Sequence, residues 1–237
     1  MTFKKLLMLL CVVASFSAAA QNFSPAFEGF SRKKPAFITM ADGTEYTVYL
    51  KSFKRKKGLI DQLKVESVNG GKKVKINPED ISHMYIAPSG LAKLAQKMDA
   101  STDLTKIQDG ELNAEHLDEG YIFMESSEVQ IKKKTQYCML QLMNPTFSGK
   151  IKVYNDPFAK ETASIGIGGM TLAGGLDKSY YIKKADEKIA KRIKKKEYKK
   201  DMTEIFSECP DVLAKYADDP KWGEFENFIY DYSTMCN

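Results

Sequence analysis

Between Ala36 and Pro88 the chain is punctuated repeatedly by turn residues, and this pattern constrains the fold more than any other feature of the sequence. Phe37–Met40, Asp42-Gly43 and Thr44–Lys51 read as strand, tight turn and strand, because Asp-Gly suits the positive backbone angles of a two-residue hairpin turn. Tyr46, Val48 and Leu50 fall on one face of the second strand, with Glu45, Thr47, Tyr49 and Lys51 on the other. That is the alternation of a half-buried antiparallel strand. Leu63–Val68 and Lys73–Ile76 flank Asn69-Gly70-Gly71 as a second hairpin, Asn77-Pro78-Glu79-Asp80 predicts one capped helical turn, and Ile81–Ile86 resumes a strand. About five short strands in some fifty residues predict a small barrel of the SH3-like or Sm-like kind, an architecture that hosts many unrelated functions.

Pro88-Ser89-Gly90 ends this unit, and Leu91, Leu94, Ala95 and Met98 recur at the spacing of a short amphipathic connector helix. Residues 99–119 are polar and acidic and read as a linker, with one helical turn at Ala114–Leu117. Strand signals return at Tyr121–Met124, Val129–Lys132, Tyr137–Met143, Lys150–Tyr154, Ile165–Ala173 and Ser179–Ile182, and they predict a second β-unit over 120–183. Alternation in the last of these puts one of Tyr180 and Tyr181 in the core and the other in solvent. Residues 184–237 read as helical: Ala185, Ile189 and Ile193 are spaced by four, Tyr198, Met202 and Ile205 restart the stripe, and Trp222, Phe225, Phe228 or Ile229, and Tyr232 form a third. Pro210 and Pro220 supply the breaks. The expected architecture is α+β and predominantly antiparallel β: a lead at 21–35, a barrel unit with its connector at 36–98, the linker, the second β-unit, and a helical C-terminal cover.

The N-terminus speaks to location. Two lysines in Met1–Lys5, the apolar run Leu6–Phe16 and the small residues Ser17–Ala20 form the pattern of a secretory signal peptide over residues 1–20. Its apolar core is too short to span a bilayer, and Ala18 and Ala20 precede an expected cut at Gln21. Lipidation of Cys11 is disfavoured, because Leu10 stands where a small residue is needed and only Leu6–Leu10 would remain as the apolar core. No later segment has the length of apolar sequence that a membrane helix requires. The expectation is export, with the periplasm preferred, since the chain ends in an acidic helical stretch with no β-rich sorting domain. Loss of Lys4 and Lys5 with the signal lowers the formal charge from +5 to +3, which gives no argument for a nucleic-acid partner.

Export also governs the cysteines, because Cys138, Cys209 and Cys236 remain after processing and meet an oxidising compartment. A Cys209–Cys236 bridge would tie down the chain end across the last helices; three free thiols are equally compatible with the sequence.

Motifs for chemistry are sparse. His83 and His116 stand apart from any cysteine or carboxylate spacing of a zinc site, and each is read as a sheet-surface or salt-paired histidine. Gly166-Ile167-Gly168-Gly169 and Gly174-Gly175 do not match a dinucleotide fingerprint or a Walker loop, and they read as hairpin turns and sheet glycines. No cofactor or metal is expected. Tyr180-Tyr181 and Trp222 with Tyr230 and Tyr232 would suit a glycan or peptide platform, but strand and helix periodicity assigns them to packing. The remaining surface candidates are basic: Lys54, Arg55, Lys56 and Lys57 beside Lys51; Lys132–Lys134; and the ten Lys or Arg from Lys183 to Lys200, among them Lys191, Arg192, Lys194, Lys195 and Lys196. Nine acids against two lysines in 201–237 offer these cations internal partners, so a solvated, mutually neutralised face competes with contact to an anionic surface.

Phe37-Ile38-Thr39 followed by Asp42-Gly43-Thr44, Pro88-Ser89-Gly90, Lys152-Val153-Tyr154-Asn155-Asp156-Pro157 with Glu161-Thr162-Ala163-Ser164, Lys178-Ser179-Tyr180-Tyr181, and Ser207-Glu208-Cys209-Pro210 carry a resemblance. In these segments the chain resembles uncharacterised exported proteins of Bacteroidota-type bacteria. The resemblance implies a Gram-negative envelope or secreted location and brings no active-site residues. The functional expectation is a non-enzymatic module that binds a protein, a glycan or an anionic lipid surface. The alternative is an envelope-acting hydrolase whose site is assembled from distant segments.

Overall fold

Asp42-Gly43 makes the first turn, with Gly43 at φ +86° and the Asp42 carboxylate accepting the Thr44 amide at 2.9 Å. It joins β1 (Pro35–Met40) to β2 (Glu45–Lys56), paired antiparallel from Pro35↔Tyr49 to Thr39↔Glu45. The next reversal is Lys57-Gly58, at φ +48° and +72°, between β2 and β3 (Leu59–Ser67). Both angles are those a type I′ turn demands, so a long two-stranded arm runs to this basic tip. The third turn, through Gly70 and Gly71, leads to the short β4 (Val74–Ile76), and a 3-10 turn at Pro78–Asp80 feeds β5 (Ile81–Ile86).

The computed structural model describes residues 23–27, 29–90, 112–131, 133–159, 164–167, 170–174, 177–216 and 218–236. The expected signal peptide, the expected connector at 91–98, most of the stretch expected as a linker, Lys132, and Gly168, Gly169 and Gly175 lie outside them. Within the described part of 99–119, Ala114–Asp118 forms α1, where the Asn113 side chain accepts the His116 amide at 3.2 Å.

The chain is α+β and mostly antiparallel β. β6 (Ile122–Ile131) pairs with β5, β7 (Lys134–Gln141) pairs with β6 along its whole length, and β7 meets β3 at Ile60↔Met139. A six-stranded barrel, β3-β2-β1-β5-β6-β7, is thereby closed. Its last two strands come from beyond the linker and its final seam rests on one residue pair. The barrel interior is filled by Ala36, Ile38, Val48, Leu50, Leu63, Val65, Met84, Ile86, Met124 and Met139.

Past Glu125 the β5-side edge of β6 is taken by β12 (Ile189–Lys194), parallel at Ile189↔Glu128 and Ala190↔Val129. β12 continues into β11 (Ser179–Lys184) and β8 (Ile151–Asn155), forming a three-stranded wing on the barrel. β9 (Ser164–Ile167) and β10 (Met170–Gly174) make a separate two-stranded ribbon. The helices α2 (Tyr198–Ile205), α3 (Pro210–Tyr216) and α4 (Phe225–Met235) follow, with Trp222 in a 3-10 turn before α4.

Two expectations are corrected here. Residues 189–194 are strand, so the helical cover begins at Tyr198 and not at 184. A spacing of four places Ile189 and Ile193 on one face of a strand as well as of a helix, so the periodicity did not discriminate. Tyr180 and Tyr181 are both buried, because the wing is covered on both sides. Tyr181 packs toward the barrel with Tyr154, Phe123, Leu140 and Cys138, while Tyr180 packs under the helices with Phe23, Trp222 and Phe225.

Candidate functional site

Where the β3–β7 seam narrows to one pair, a cavity of about 340 Å³ opens. Its floor is apolar and drawn from both faces of the seam strands: Ile60 from β3, Met124 from β6 and Met139 from β7 belong to the barrel interior, and Leu59 and Leu140 to the layer between barrel and wing. Its rim combines the β2–β3 tip (Arg55, Gly58), the end of β8 and the segment that follows it (Asn155, then Asp156, Pro157 and Ala159), Asp177, and the N-terminal lead (Ala26, Phe27).

Backbone and side-chain chemistry hold each wall in place. The buried Gln141 carboxamide accepts the Phe27 amide at 2.6 Å and donates to the Pro25 carbonyl at 2.8 Å, which straps the lead across the barrel mouth. Asp156, 2% exposed, accepts from the Phe158 amide at 3.0 Å, the Ser179 hydroxyl at 2.7 Å and Arg192 Nε at 2.5 Å. Its charge is thus matched inside the wall. Asp177 accepts Trp222 Nε1–H at its carbonyl at 2.6 Å, which ties the rim to the helical cover. Gly58 is needed twice over: its φ is +72°, and a Cβ there would lie 2.5 Å from the Phe158 ring.

Arg55 differs from the other charged groups of the rim. Its guanidinium donates to the Gly58 carbonyl at 2.8 Å and lies 5.8 Å from the Phe53 ring centroid, and it makes no ion pair among the described residues. Burial draws its pKa below the ordinary arginine value, even though the residue as a whole is exposed. A guanidinium has five N–H donors, and one of them is used by the Gly58 carbonyl at this rim.

The structure separates the two basic groups expected to meet an anionic surface. Lys54 approaches Asp61 at 3.9 Å and stays largely exposed, and Lys56 and Lys57 are exposed beside it at the hairpin tip. In the second group Arg192 is committed to Asp156, Lys191 pairs with Glu187 at 2.5 Å, and Lys194 pairs with Glu197 at 2.9 Å. Lys195 and Lys196, with Lys199 and Lys200, are exposed and make no ion pair among the described residues. Of these basic residues only Arg55 lines the cavity.

Neither histidine is at this site. His116 stacks on Phe37 at 4.2 Å, and His83 packs against Tyr85 and Phe123, both on the outer wall of the barrel. Among the described residues no three His, Cys, Asp or Glu side chains gather as a metal site. Cys209 and Cys236 form the disulfide, stapling the loop before α3 to the end of α4, and Cys138 is a buried thiol whose pKa burial pushes up. Among the described residues no helix is long and apolar enough to cross a membrane.

Gln141, Asn155, Asp156 and Asp177 were not singled out from sequence. Asn155 and Asp156 stand in a segment that carries the resemblance, but the meeting of Asp156 with Arg192 depends on the wing pairing and leaves no mark in the sequence. Comparison with family models, with curated proteins and with solved structures finds no match.

Proposed function

We propose that the protein is an exported, non-enzymatic binding protein of the bacterial envelope that takes its ligand in the barrel-seam cavity. The observation that carries this reading is the composition of the cavity wall. Its floor is apolar, and Asp156 and Gln141 are already engaged by the fold's own hydrogen bonds, so the site favours holding a guest over transferring protons. The N-terminal pattern supports export, and the free lysines Lys195, Lys196, Lys199 and Lys200 supply attraction to an anionic envelope surface.

The full chain, expressed in a Gram-negative host and recovered from the periplasm, tests both parts. N-terminal sequencing is expected to begin at Gln21, and native mass spectrometry to show a bound small molecule that Ala26→Phe, at the cavity rim, removes. A retained leader contradicts export; a ligand untouched by Ala26→Phe contradicts the site.

A hydrolase is the competing reading, because Asp156 and Asp177 line the same cavity. It requires turnover of envelope material that disappears in Asp177→Asn. Asp156 is the weaker acid–base candidate, since both of its oxygens already accept.

A further inference from the structure

We propose that the cavity's ligand is a single short alkyl chain ending in an oxyanion, with the chain on the barrel floor and the oxyanion on Arg55. This rests on the binding reading above and names the ligand class for that site. Three features on different elements converge on it.

The first is charge. Arg55 is a rim cation with no carboxylate partner among the described residues, while the other rim-associated arginine, Arg192, is neutralised by Asp156. Lys54, Lys56 and Lys57 on the same hairpin tip add to the positive potential at the entrance. A carboxylate or phosphate is the complement that a guanidinium fork binds best.

The second is the floor. Leu59, Ile60, Met124, Met139 and Leu140 offer an apolar surface without a buried donor, and the two methionines adapt readily to an unbranched chain. The third is size. At about 30 Å³ for each water-sized group, a 340 Å³ cavity holds on the order of ten heavy atoms. That is one short chain, too little space for a two-chain lipid.

The fold contains its own reporter. Trp222 is the only tryptophan, and its indole N–H is bonded to the carbonyl of Asp177 in the cavity rim. Occupancy that moves Asp177 therefore changes the environment of Trp222.

The test titrates the mature protein with decanoate, decyl phosphate, decanol and decyltrimethylammonium, each below its micelle concentration, followed by Trp222 emission and by calorimetry. Saturable one-to-one binding of decanoate or decyl phosphate is expected, at least about tenfold tighter than decanol, with the cationic amphiphile weakest. The two anionic arms distinguish a carboxylate from a phosphate source. Arg55→Gln is expected to erase the preference for the anion, so that decanoate and decanol bind alike; Arg55→Lys restores part of it. Equal binding of decanol and decanoate, or an anion preference that survives Arg55→Gln, overturns this proposal and leaves the binding reading standing. No saturable binding of any of the four overturns both the proposal and the cavity as an amphiphile site, whereas the native-mass experiment still judges the broader reading on its own.

Discussion

The two faces of the β8-β11-β12 wing are built from different chemistry. Toward the helices, Ile151, Val153, Tyr180, Ile182 and Ile193 meet Phe23, Tyr198, Trp222, Phe225 and Phe228, an aromatic-rich layer closed by the Cys209–Cys236 bridge. Toward the barrel, apolar contacts of Tyr154, Tyr181 and Ala190 are interleaved with charge: Lys152 and Lys183 hold Glu125 at 2.7 and 2.6 Å, and Arg192 holds Asp156. Alternation along each strand sends every second residue to one face, so neighbouring residues in sequence enter opposite environments. The helix face gains from area and dispersion. The barrel face gains register and orientation, because a half-buried ion pair contributes little net stability yet is costly to break.

The largest expected effect is on the helix face. Phe225 is fully buried and packs against the rings of Phe23, Tyr180, Tyr198 and Trp222. Phe225→Ala is expected to destabilise by about 3–5 kcal/mol in a denaturant titration, the usual range for a buried phenylalanine. A loss below about 1 kcal/mol would place the stability elsewhere.

Next is the disulfide, whose ends are 27 residues apart. The Cys209→Ser/Cys236→Ser double variant is expected to lose about 3.5 kcal/mol by the loop-entropy relation, and reductant is expected to affect the parent and not the variant.

The barrel face is tested through pH. Burial raises the Glu125 pKa, but Lys152 and Lys183 together outweigh it and hold the carboxyl below its ordinary value of 4.5. A depressed folded pKa stabilises above the unfolded value and is lost as pH falls through the folded one. Stability from Glu125 should therefore be complete above about pH 5 and decline below 4.5, and Glu125→Gln should flatten that part of the acid limb. At neutral pH the same variant is expected to cost about 2 kcal/mol, below the range for removing one partner of a fully buried pair because the three side chains retain some exposure. An unchanged acid limb would break the contrast between the faces.

The smallest effect lies at the hairpin tip, away from both faces. Lys57 is the one non-glycine residue with positive φ among the described residues. Lys57→Asn, giving Asn-Gly in a type I′ turn, is expected to stabilise by about 0.5–1 kcal/mol, read as a raised unfolding midpoint.

Local chemistry made the hairpins legible: Asp42-Gly43 and Asn69-Gly70-Gly71 mark the reversals they form, with positive φ at the glycines, and Pro78 starts the short helical turn expected of it, although the Asn77 side chain accepts from Gln62 and does not cap that turn. The stripe from Trp222 to Tyr232 was also readable from helical spacing, whereas the Cys209–Cys236 bridge was one of two alternatives the sequence left open, decided only by the 5.7 Å approach of the two Cα atoms. Barrel closure was not, since the Ile60↔Met139 pair joins segments across the linker and leaves no mark in either. The same limit governed the site. Arg55 and Arg192 look alike in two basic runs, and only the wing pairing that brings Asp156 to Arg192 leaves one committed and the other open.

The most direct measurement is a crystal structure of the mature protein with decanoate. The account predicts alkyl density between Met124 and Met139, with the carboxylate within hydrogen-bond distance of the Arg55 guanidinium. Decanoate bound elsewhere while the seam cavity holds only water would contradict it.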